Sequence, residues 1–413
     1  MPPISSRSGT CRAGQRRLSG NALSVASNWR ARYDPCAKEV KVSNCIVDPR
    51  KLLSFDFGEY HPFKTYRLGL AYDLMDAYGL IDRDGVIVCQ PRQATEEEAS
   101  TFHNSGYLEA LRLADSGMWV PNQFTHGLGT PDNPVFPGVY EWGMLVAGSS
   151  IDGARQILSG EASIAFNPSG GLHHAMPAHA SGFCHINDVV LAINVLVAGG
   201  KRVAYVDIDA HHGDGVQHAY YSTDRVLTIS AHQDGHTIFP GTGFPDEAGK
   251  DEGRGYAVNI PLPPGSRDDV YEAVFSEVIF PALVRFSPDV IVTQLGADAL
   301  IGDRVASLAM SLDMFEGYVK RIRALKLPWL ALGGGGYAVE NVARAWTLAW
   351  AQMNDVTLPN EIPPLWQTQA AAYNISASSL RGGGESKPSP HRVLDAARRS
   401  IDAVVENILP LIG

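Results

Sequence analysis

The chain has 413 residues, enough for one large α/β domain or two smaller ones. Hydrophobic residues make up 45% of it and charged residues 19%, as in ordinary globular enzymes, and no apolar run is long enough to cross a bilayer. The net charge of −10 argues against nucleic-acid binding by bulk electrostatics, although it leaves room for basic substrates such as lysine-bearing chains.

The cysteines bear on the cellular compartment. There are five of them, an odd number, and no two form a Cys-x-x-Cys pair. This usage favours a reducing cytoplasm over a disulfide framework.

The segment before Asp34 is strongly basic. It contains six arginines, many serines and no acidic residue. Such a composition resembles a transit peptide or a basic disordered arm. Because no apolar helical face runs through it, we favour a flexible extension over residues 1–45. The main domain is expected at 46–375, followed by a flexible segment and a C-terminal helix at 376–413.

Upstream of residue 160 the pattern is mainly helical. Near-helical spacing of apolar residues predicts helices within 60–78, 96–113 and 140–158, and an apolar run predicts a short strand at 86–89. Residues 117–138 are loop-like, and a loop of this length in a compact domain is usually functional.

Strands alternate with helices from about residue 160 to 353, which implies a mostly parallel sheet with helices on both faces. The predicted strands are 163–166, 203–206, 226–230, 290–295 and 329–332. The predicted helices are 187–197, 270–286, 314–325 and 340–353. A terminal amphipathic helix is expected at 393–409. No internal repeat and no linker divides the alternating region.

The strand at 203–206 breaks abruptly into acidic residues, histidines and glycines. Asp209 and His211 are two residues apart, so in extended backbone they point the same way and form half of a zinc site. The plain alternative is a polar loop that caps the next helix. Several ionisable groups at the end of an apolar strand favour a site, because open parallel sheets bind ligands at that edge.

Other predicted strand ends carry reactive groups that can converge on the same edge. Asp298 can supply a third ligand and leave a coordination position open for water, as catalytic zinc requires. The adjacent His173 and His174 give a general acid and base pair. Asp207 and Asp214 are the carboxylates available to orient those imidazoles.

The last predicted strand leads into four glycines and Tyr337. This backbone is free enough to swing a phenol toward a developing oxyanion. Taken singly, each feature has a plainer explanation: a His-His pair is often structural, Asp298 can be a helix N-cap, and a glycine run can cradle phosphate. No Walker lysine or early Gly-x-Gly-x-x-G supports the phosphate alternative. Jointly the four turns are more specific than any one of them.

Six motifs resemble the zinc-dependent histone deacetylase family in order and spacing. They are Gly171-Leu172-His173-His174-Ala175, Ser181-Gly182-Phe183-Cys184, Asp207-Ile208-Asp209-Ala210-His211-His212-Gly213-Asp214-Gly215-Val216, Phe239-Pro240-Gly241-Thr242-Gly243, Gln294-Leu295-Gly296-Ala297-Asp298 and Leu332-Gly333-Gly334-Gly335-Gly336-Tyr337. The similarity spans about residues 55–370. It is nearest to the bacterial acetoin-utilisation branch, which His61-Pro62 and the segment 129–134 also fit.

The resemblance implies the arginase/deacetylase α/β fold, a single domain with a central eight-stranded parallel sheet flanked by helices. It implies Asp209, His211 and Asp298 as the zinc ligands. Iron(II) is an alternative metal, because this donor set accepts either. Asp207 and Ser230 resemble ligands of the family's structural potassium site.

The resemblance also assigns catalytic roles. His174 looks like the general base and acid, and His173 like its electrostatic partner. Asp214 would pair with His174 and Asp207 with His173. Tyr337 looks like the residue that polarises the acetyl carbonyl.

The implied substrate contacts line an acyl-lysine tunnel. Phe183 and Phe239 look like its two walls, with Gly182 beside Phe183. Asp132 matches the rim carboxylate that holds the substrate backbone, and Arg67 matches an arginine that lines the acetate exit channel.

The chain departs from the family pattern at several places. His185 stands where many class I relatives have Tyr, residues 234–237 differ from eukaryotic forms, and the basic N-terminus has no recognised counterpart. Rim specificity is therefore open.

The expected activity is hydrolysis of N-acetyl-lysine in an acetylated protein or peptide in the cytoplasm. The acetoin branch suggests acetoin catabolism and acetyl-CoA synthetase as a substrate. The alternatives are an amidohydrolase for acetylpolyamines, a catalytically silent acyl-lysine-binding protein and, least favoured, a binuclear arginase-like hydrolase. We expect no direct nucleic-acid binding and no membrane association, and the sequence leaves the oligomeric state open.

Overall fold

The computed structural model describes residues 43–382 and 387–413. Eight parallel strands form one sheet in the order β2-β1-β3-β8-β7-β4-β5-β6, which confirms the predicted eight-stranded parallel sheet. The strands are β1 Ser43–Val47, β2 Val86–Cys89, β3 Ala162–Asn167, β4 Val203–Asp207, β5 Val226–Gln233, β6 Ala257–Leu262, β7 Val290–Gln294 and β8 Trp329–Leu332. The predicted extension, residues 1–45, lies outside the described residues apart from 43–45, which open β1.

Helices alternate with these strands. They are α1 Tyr66–Ala77, α2 Glu96–Ala99, α3 Ser105–Asp115, α4 Val139–Ser159, α5 Asp188–Ala198, α6 Asp214–Tyr220, α7 Asp268–Val274, α8 Phe280–Phe286, α9 Leu312–Ala324, α10 Val339–Met353, α11 Pro364–Ala371 and α12 His391–Asn407. A π-helical segment, Phe275–Ile279, joins α7 to α8. Short 3₁₀ turns occur at Pro49–Ser54, Gln123–His126, Asp251–Gly253 and Leu409–Leu411. Among the described residues, no helix combines the length and apolarity needed to span a membrane.

The central strands β3, β4, β7 and β8 are buried on both faces, which explains why they are nearly continuous apolar runs. Neighbouring residues of β3 show the two sides, since side chains alternate along a strand. Ala165 packs into an apolar cluster with residues of α4 and α5. Phe166 points the other way and stacks on Trp350 of α10, with ring centroids 6.2 Å apart.

The strand register brings four strand ends into line. Asn167 at the end of β3 pairs with Leu332 at the end of β8, and Leu332 pairs with Gln294 at the end of β7. Gln294 in turn pairs with Asp207 at the end of β4. The four turns that follow these residues therefore start side by side at one edge.

The two strands that the sequence analysis missed have weak local signals. β1 is short and begins with polar residues, and β6 contains Pro261, which argues against a central strand. β6 is one of the two edge strands of the sheet, where proline is tolerated. Cys45 of β1 lies beside Cys89 of β2, with their Cα atoms 6.6 Å apart, a proximity that the cysteine spacing did not indicate.

Candidate active site

Three predicted metal ligands converge where β4 and β7 end. Asp209 and His211 follow β4, and Asp298 follows the adjacent β7. One potential ligand atom from each residue lies within 4.8 Å of the others, and all three side chains are buried.

The electrostatics of this triad suit a cation. His211 Nδ1 lies 3.0 Å from Asp209 Oδ1 and 3.2 Å from Asp298 Oδ2. Burial alone would lower the pKa of His211, but the two carboxylates outweigh it and raise that pKa to about 10. Burial and the Asp209 charge raise the pKa of Asp298 to about 7. Two buried carboxylates beside an imidazole demand positive charge, which a divalent metal ion can supply, so the residues fit the metal.

Further contacts fix the orientation of the two carboxylates. Gln294 Nε2 and the Gly335 N–H both donate to Asp209 Oδ2, at 2.6 and 2.9 Å. The Ala210 N–H donates to Asp298 Oδ1 at 2.8 Å. A Cβ on Gly335 would lie 2.1 Å from Asp298 Oδ2, so only glycine fits there. Sequence reasoning gave Gln294 no role, since it lies 85 residues from Asp209.

A chain of imidazoles and carboxylates lies beside the ligands. The Nε2 atoms of His173 and His174 are 3.0 Å apart. Asp207 Oδ2 lies 2.7 Å from His173 Nδ1, and Asp214 Oδ1 lies 2.7 Å from His174 Nδ1. Asp207 Oδ2 also accepts a hydrogen bond from the Tyr205 hydroxyl at 2.6 Å.

The pKa values of the two histidines are shifted in opposite directions. Burial lowers the pKa of His173, but Asp207 and Asp209 outweigh it and raise that pKa to about 9. Burial and the charge on His173 lower the pKa of His174 to about 4, against the pull of Asp214. These shifts favour the charged form of His173 and the neutral form of His174. With its Nδ1–H on Asp214, His174 keeps an unprotonated Nε2, as a general base requires.

Asp188, the first residue of α5, holds the turn that carries these histidines. Its carboxylate accepts the N–H groups of Gly171 and Leu172 and the Ser150 hydroxyl, at 2.6 to 3.1 Å. Burial raises the pKa of Asp188 to about 6. The sequence analysis took Asp188 only as part of a helix, and no local signal distinguishes it from an ordinary acidic residue in a first turn.

Tyr337 follows the glycine run after β8. Its N–H and that of Ala338 donate to Asp303 Oδ2, at 2.7 and 3.1 Å, so Asp303 fixes the backbone that carries the phenol. Burial and the nearby charge of Asp298 raise the pKa of Tyr337, which keeps the hydroxyl protonated as a donor. Sequence reasoning missed Asp303.

Comparison with known proteins identifies the family. The family model described as histone deacetylase domain matches residues 61–353, well over half of the chain. The chain belongs to the histone deacetylase family. It is thus a hydrolase of the deacetylase type, and the predicted family is confirmed.

Two relatives show the extent of the similarity. This deacetylase is 43% identical to Histone deacetylase 9 of Arabidopsis thaliana over 310 residues, covering 74% of this chain and 72% of that protein. It is 40% identical to Histone deacetylase 1 of Homo sapiens over 312 residues, covering 75% of this chain but only 64% of the human protein.

A solved structure supports the predicted fold. The crystal structure of a histone deacetylase homologue from Aquifex aeolicus superposes with a TM-score of 0.78 at 30% identity. The match covers 87% of this chain and all of that one. The arginase/deacetylase fold is therefore confirmed.

A narrow cavity leads to the deacetylase site, and two phenylalanines stand beside it. The Phe183 ring lies edge-on to Tyr337 at 5.7 Å, and the Phe239 ring lies edge-on to His174 at 5.0 Å. Gly182 separates them. A Cβ there would lie 2.4 Å from His174 Cδ2, and the residue has φ of +51°, so the position requires glycine.

The predicted rim residue is exposed, whereas the predicted channel residue is buried. Asp132 is exposed, its carbonyl oxygen lies 3.2 Å from His61 Nε2, and the neighbouring Asn133 accepts the Phe183 N–H at 2.9 Å. Arg67 is buried, and its two terminal nitrogens donate to the carbonyls of Gly334 and Gly336 at 2.8 Å each. Arg67 therefore braces the glycine turn before Tyr337.

The structure also locates the predicted potassium ligands and His185. Asp207 and Ser230 are paired residues on β4 and β5, and the potassium site remains a prediction. His185 is fully buried and its Nε2 lies 3.1 Å from the Pro134 carbonyl oxygen, so it acts in packing and not at the rim.

Proposed function

We propose that the protein hydrolyses N-acetyl-lysine amide bonds in proteins, using zinc held by Asp209, His211 and Asp298, and releases acetate. The observation that carries this proposal is that the candidate metal-binding group Asp209, His211 and Asp298 lies beside a cavity lined by His173, His174 and Tyr337. Membership of the histone deacetylase family supports the same chemistry.

The tunnel residues account for substrate binding. Phe183 and Phe239 present aromatic surfaces to the apolar stem of an acyl-lysine side chain. At the rim, the exposed carboxylate of Asp132 accepts hydrogen bonds from the backbone N–H groups of the substrate. The lysine is thereby held with its acetyl group at the metal ligands.

A zinc ion held there would act as a Lewis acid, which polarises the acetyl carbonyl and lowers the pKa of water. His174 Nε2 accepts a proton from the attacking water and returns it to the leaving amine as the C–N bond breaks. Charged His173 stabilises the negative charge that develops nearby. The Tyr337 hydroxyl donates a hydrogen bond to the oxyanion, as the donors of an oxyanion hole do.

Other parts of the proposal rest on the family resemblance. Potassium would bind near Asp207 and Ser230, iron(II) can replace zinc, and the charge of Arg67 would attract the departing acetate. Acetyl-CoA synthetase as a substrate, a role in acetoin catabolism and a cytoplasmic location stay predictions.

Acetate release from an acetyl-lysine peptide by the purified, zinc-loaded protein tests the proposal, with Tyr337→Phe as the matched control. We expect release by the parent protein and a loss of roughly 10² to 10³-fold in kcat for the variant, because one oxyanion donor is removed. Turnover of acetylputrescine without turnover of the peptide would contradict the proposal in favour of a small-amine hydrolase. No turnover of either the peptide or acetylputrescine, with zinc bound, would favour an acyl-lysine-binding protein.

A further inference from the structure

Phe239, one of the two tunnel walls, lies on a loop that follows β5. The base of this loop is closed where Gly235 meets Thr242, since a Cβ on Gly235 would lie 2.8 Å from the Thr242 carbonyl oxygen. The Phe239 side chain is 44% exposed and lies edge-on to His174. Much of the ring therefore has no protein packed against it, and its position depends on what holds the loop.

Glu247 holds the end of this loop. Its Oε1 accepts the backbone N–H groups of Gly243 and Phe244, at 2.8 and 3.1 Å, and its own N–H donates to the Phe244 carbonyl oxygen at 2.9 Å. Gly243 has φ of +88°, and a Cβ there would lie 2.3 Å from His232 Nε2, so this position requires glycine. The carboxylate thus caps a turn whose backbone has little freedom.

Gln217 ties the same carboxylate to helix α6. Its Nε2 donates to Glu247 Oε2 at 2.8 Å. Its Oε1 accepts from Asn259 Nδ2 at 2.6 Å and lies 3.1 Å from His212 Nε2. Gln217 and Asn259 are buried, where a polar group without a partner is costly. The network therefore favours one arrangement, with the Gln217 oxygen toward Asn259 and its amide nitrogen toward Glu247.

Helix α6 connects this network to the acid–base histidine. Asp214, the first residue of α6, lies 2.7 Å from His174 Nδ1. Gln217 lies three residues later, on the same side of the helix. One short helix therefore carries both the partner of His174 and the anchor of the loop whose Phe239 ring faces His174.

Packing alone does not hold the loop. A cavity of about 330 Å³ adjoins it, and Thr242 and Glu247 are among the residues that line this cavity. The Thr242 hydroxyl lies 2.8 Å from His212 Nδ1, a second polar contact between the loop and the segment before α6. Since the loop has open space beside it, these hydrogen bonds determine where Phe239 lies.

We propose that Glu247 and Gln217 are positioning residues, which hold Phe239 at the tunnel wall and so determine how tightly the acyl-lysine side chain binds. Neither residue takes part in the chemistry, and both act through the Phe239 ring. This role rests on the proposed function, because the tunnel is defined by that substrate.

Steady-state hydrolysis of an acetyl-lysine peptide by zinc-loaded Glu247→Gln tests the proposal. The new amide still offers one oxygen to Gly243 and Phe244, but its NH₂ group meets Gln217 Nε2, donor against donor. We expect KM to rise about tenfold, the loss that one aromatic contact can cause, with little change in kcat. Asp246→Asn removes the adjacent exposed carboxylate and is the matched control, which should behave as the parent does.

Exchanging the two side chains should restore binding. In the double variant Gln217→Glu, Glu247→Gln, the new amide donates to the new carboxylate, whose other oxygen accepts from Asn259 and His212. We expect KM to return to within about threefold of the parent value, because the two positions are directly coupled. Gln217→Glu alone sets two carboxylates against each other and should raise KM, as Glu247→Gln does.

Two results would overturn the proposal: a folded Glu247→Gln variant with the KM of the parent, or a folded exchange variant with the KM of the single variant. Thermal unfolding shows whether each variant is folded. If Glu247→Gln unfolds, Thr242→Val decides the question, since it removes only the hydroxyl beside His212. It should raise KM about threefold, and an unchanged KM would count against the proposal.

A measurement without turnover separates this role from the proposed function. 4-Fluorophenylalanine at position 239 gives a ¹⁹F NMR signal in the zinc-loaded protein without substrate. The signal should shift or broaden in Glu247→Gln and return in the exchange variant. An identical signal in the parent and in Glu247→Gln contradicts the positioning role, whereas a parent protein that releases no acetate contradicts the proposed function.

Discussion

The bodies and the ends of the same strands differ sharply. Within β3, β4, β7 and β8 the side chains are largely apolar and buried on both faces. In the turns beyond β3, β4 and β7 the buried side chains include carboxylates and imidazoles: His173, His174, Asp209, His211 and Asp298. The hydrophobic effect stabilises the strand bodies, whereas the strand ends hold charges whose desolvation is unfavourable unless partners satisfy them.

This difference indicates that the strand bodies and the strand ends have separate roles. Specific hydrogen bonds hold the groups at this edge: Gln294 and Gly335 donate to the Asp209 carboxylate, and the Asp303 carboxylate accepts the backbone N–H of Tyr337. The apolar bodies fix where the edge lies, and the polar contacts fix how each group points. Substitutions in the two regions should therefore separate activity from stability.

The largest effect is expected at a metal ligand. His211→Ala removes one of the three proposed ligands, and the resulting loss of metal should lower kcat/KM roughly a thousandfold or more, since a metal contributes several kcal/mol to transition-state stabilisation. Metal content by mass spectrometry should fall with activity. Full zinc occupancy together with full activity in this variant would place the metal elsewhere.

A substitution of His174, the proposed acid–base residue, should separate chemistry from metal binding. His174→Ala is expected to lower kcat by about 10²–10⁴-fold, the usual contribution of general acid–base catalysis, while zinc stays bound. The measurement is steady-state deacetylation beside metal analysis. An unchanged kcat would assign the proton transfer to another group.

A substitution within a strand body should lower stability and leave kcat nearly unchanged. Leu330 of β8 is completely buried in the apolar cluster. Leu330→Ala should lower the free energy of unfolding by about 2–5 kcal/mol, because it leaves a cavity, with little change in kcat below the unfolding temperature. Denaturant unfolding and kcat on the same preparation check this. A large drop in kcat without loss of stability would break the distinction.

A buried histidine outside the metal site gives a smaller, pH-dependent effect. His103 Nε2 accepts the Asn187 N–H at 2.9 Å, and burial lowers the pKa of His103 to about 4. Its folded pKa lies below the unfolded value of 6.5, so protonation favours the unfolded chain as pH falls from about 6.5 toward 4. Linkage predicts a loss of about 2 kcal/mol between pH 7 and pH 5.

The matched variants for this prediction are His103→Gln and His391→Gln. The first should flatten the pH dependence of unfolding by about that amount, whereas the exposed His391 should leave it unchanged. If His103→Gln shows the same slope as the parent protein, the acid sensitivity arises elsewhere.

Much of the strand framework and the site could be predicted from the sequence, because the abrupt change from apolar to charged residues is local. The prediction that Asp209, His211 and Asp298 converge needed only the rule that parallel strands end at one edge. The order of the strands was not predicted, since β1 and β6 lack clear patterns. Gln294 and Asp303 were missed because each acts on residues distant in sequence, with no local signature.

The most direct test of the central claim is a titration of metal-free protein with zinc, following acetate release from an acetyl-lysine peptide. If the strand-end triad holds the catalytic metal, activity should rise in proportion to added zinc, level off near one equivalent, and stay absent from His211→Ala. Metal-free protein as active as the zinc-loaded form, or an inactive protein with zinc bound at the triad, would contradict it.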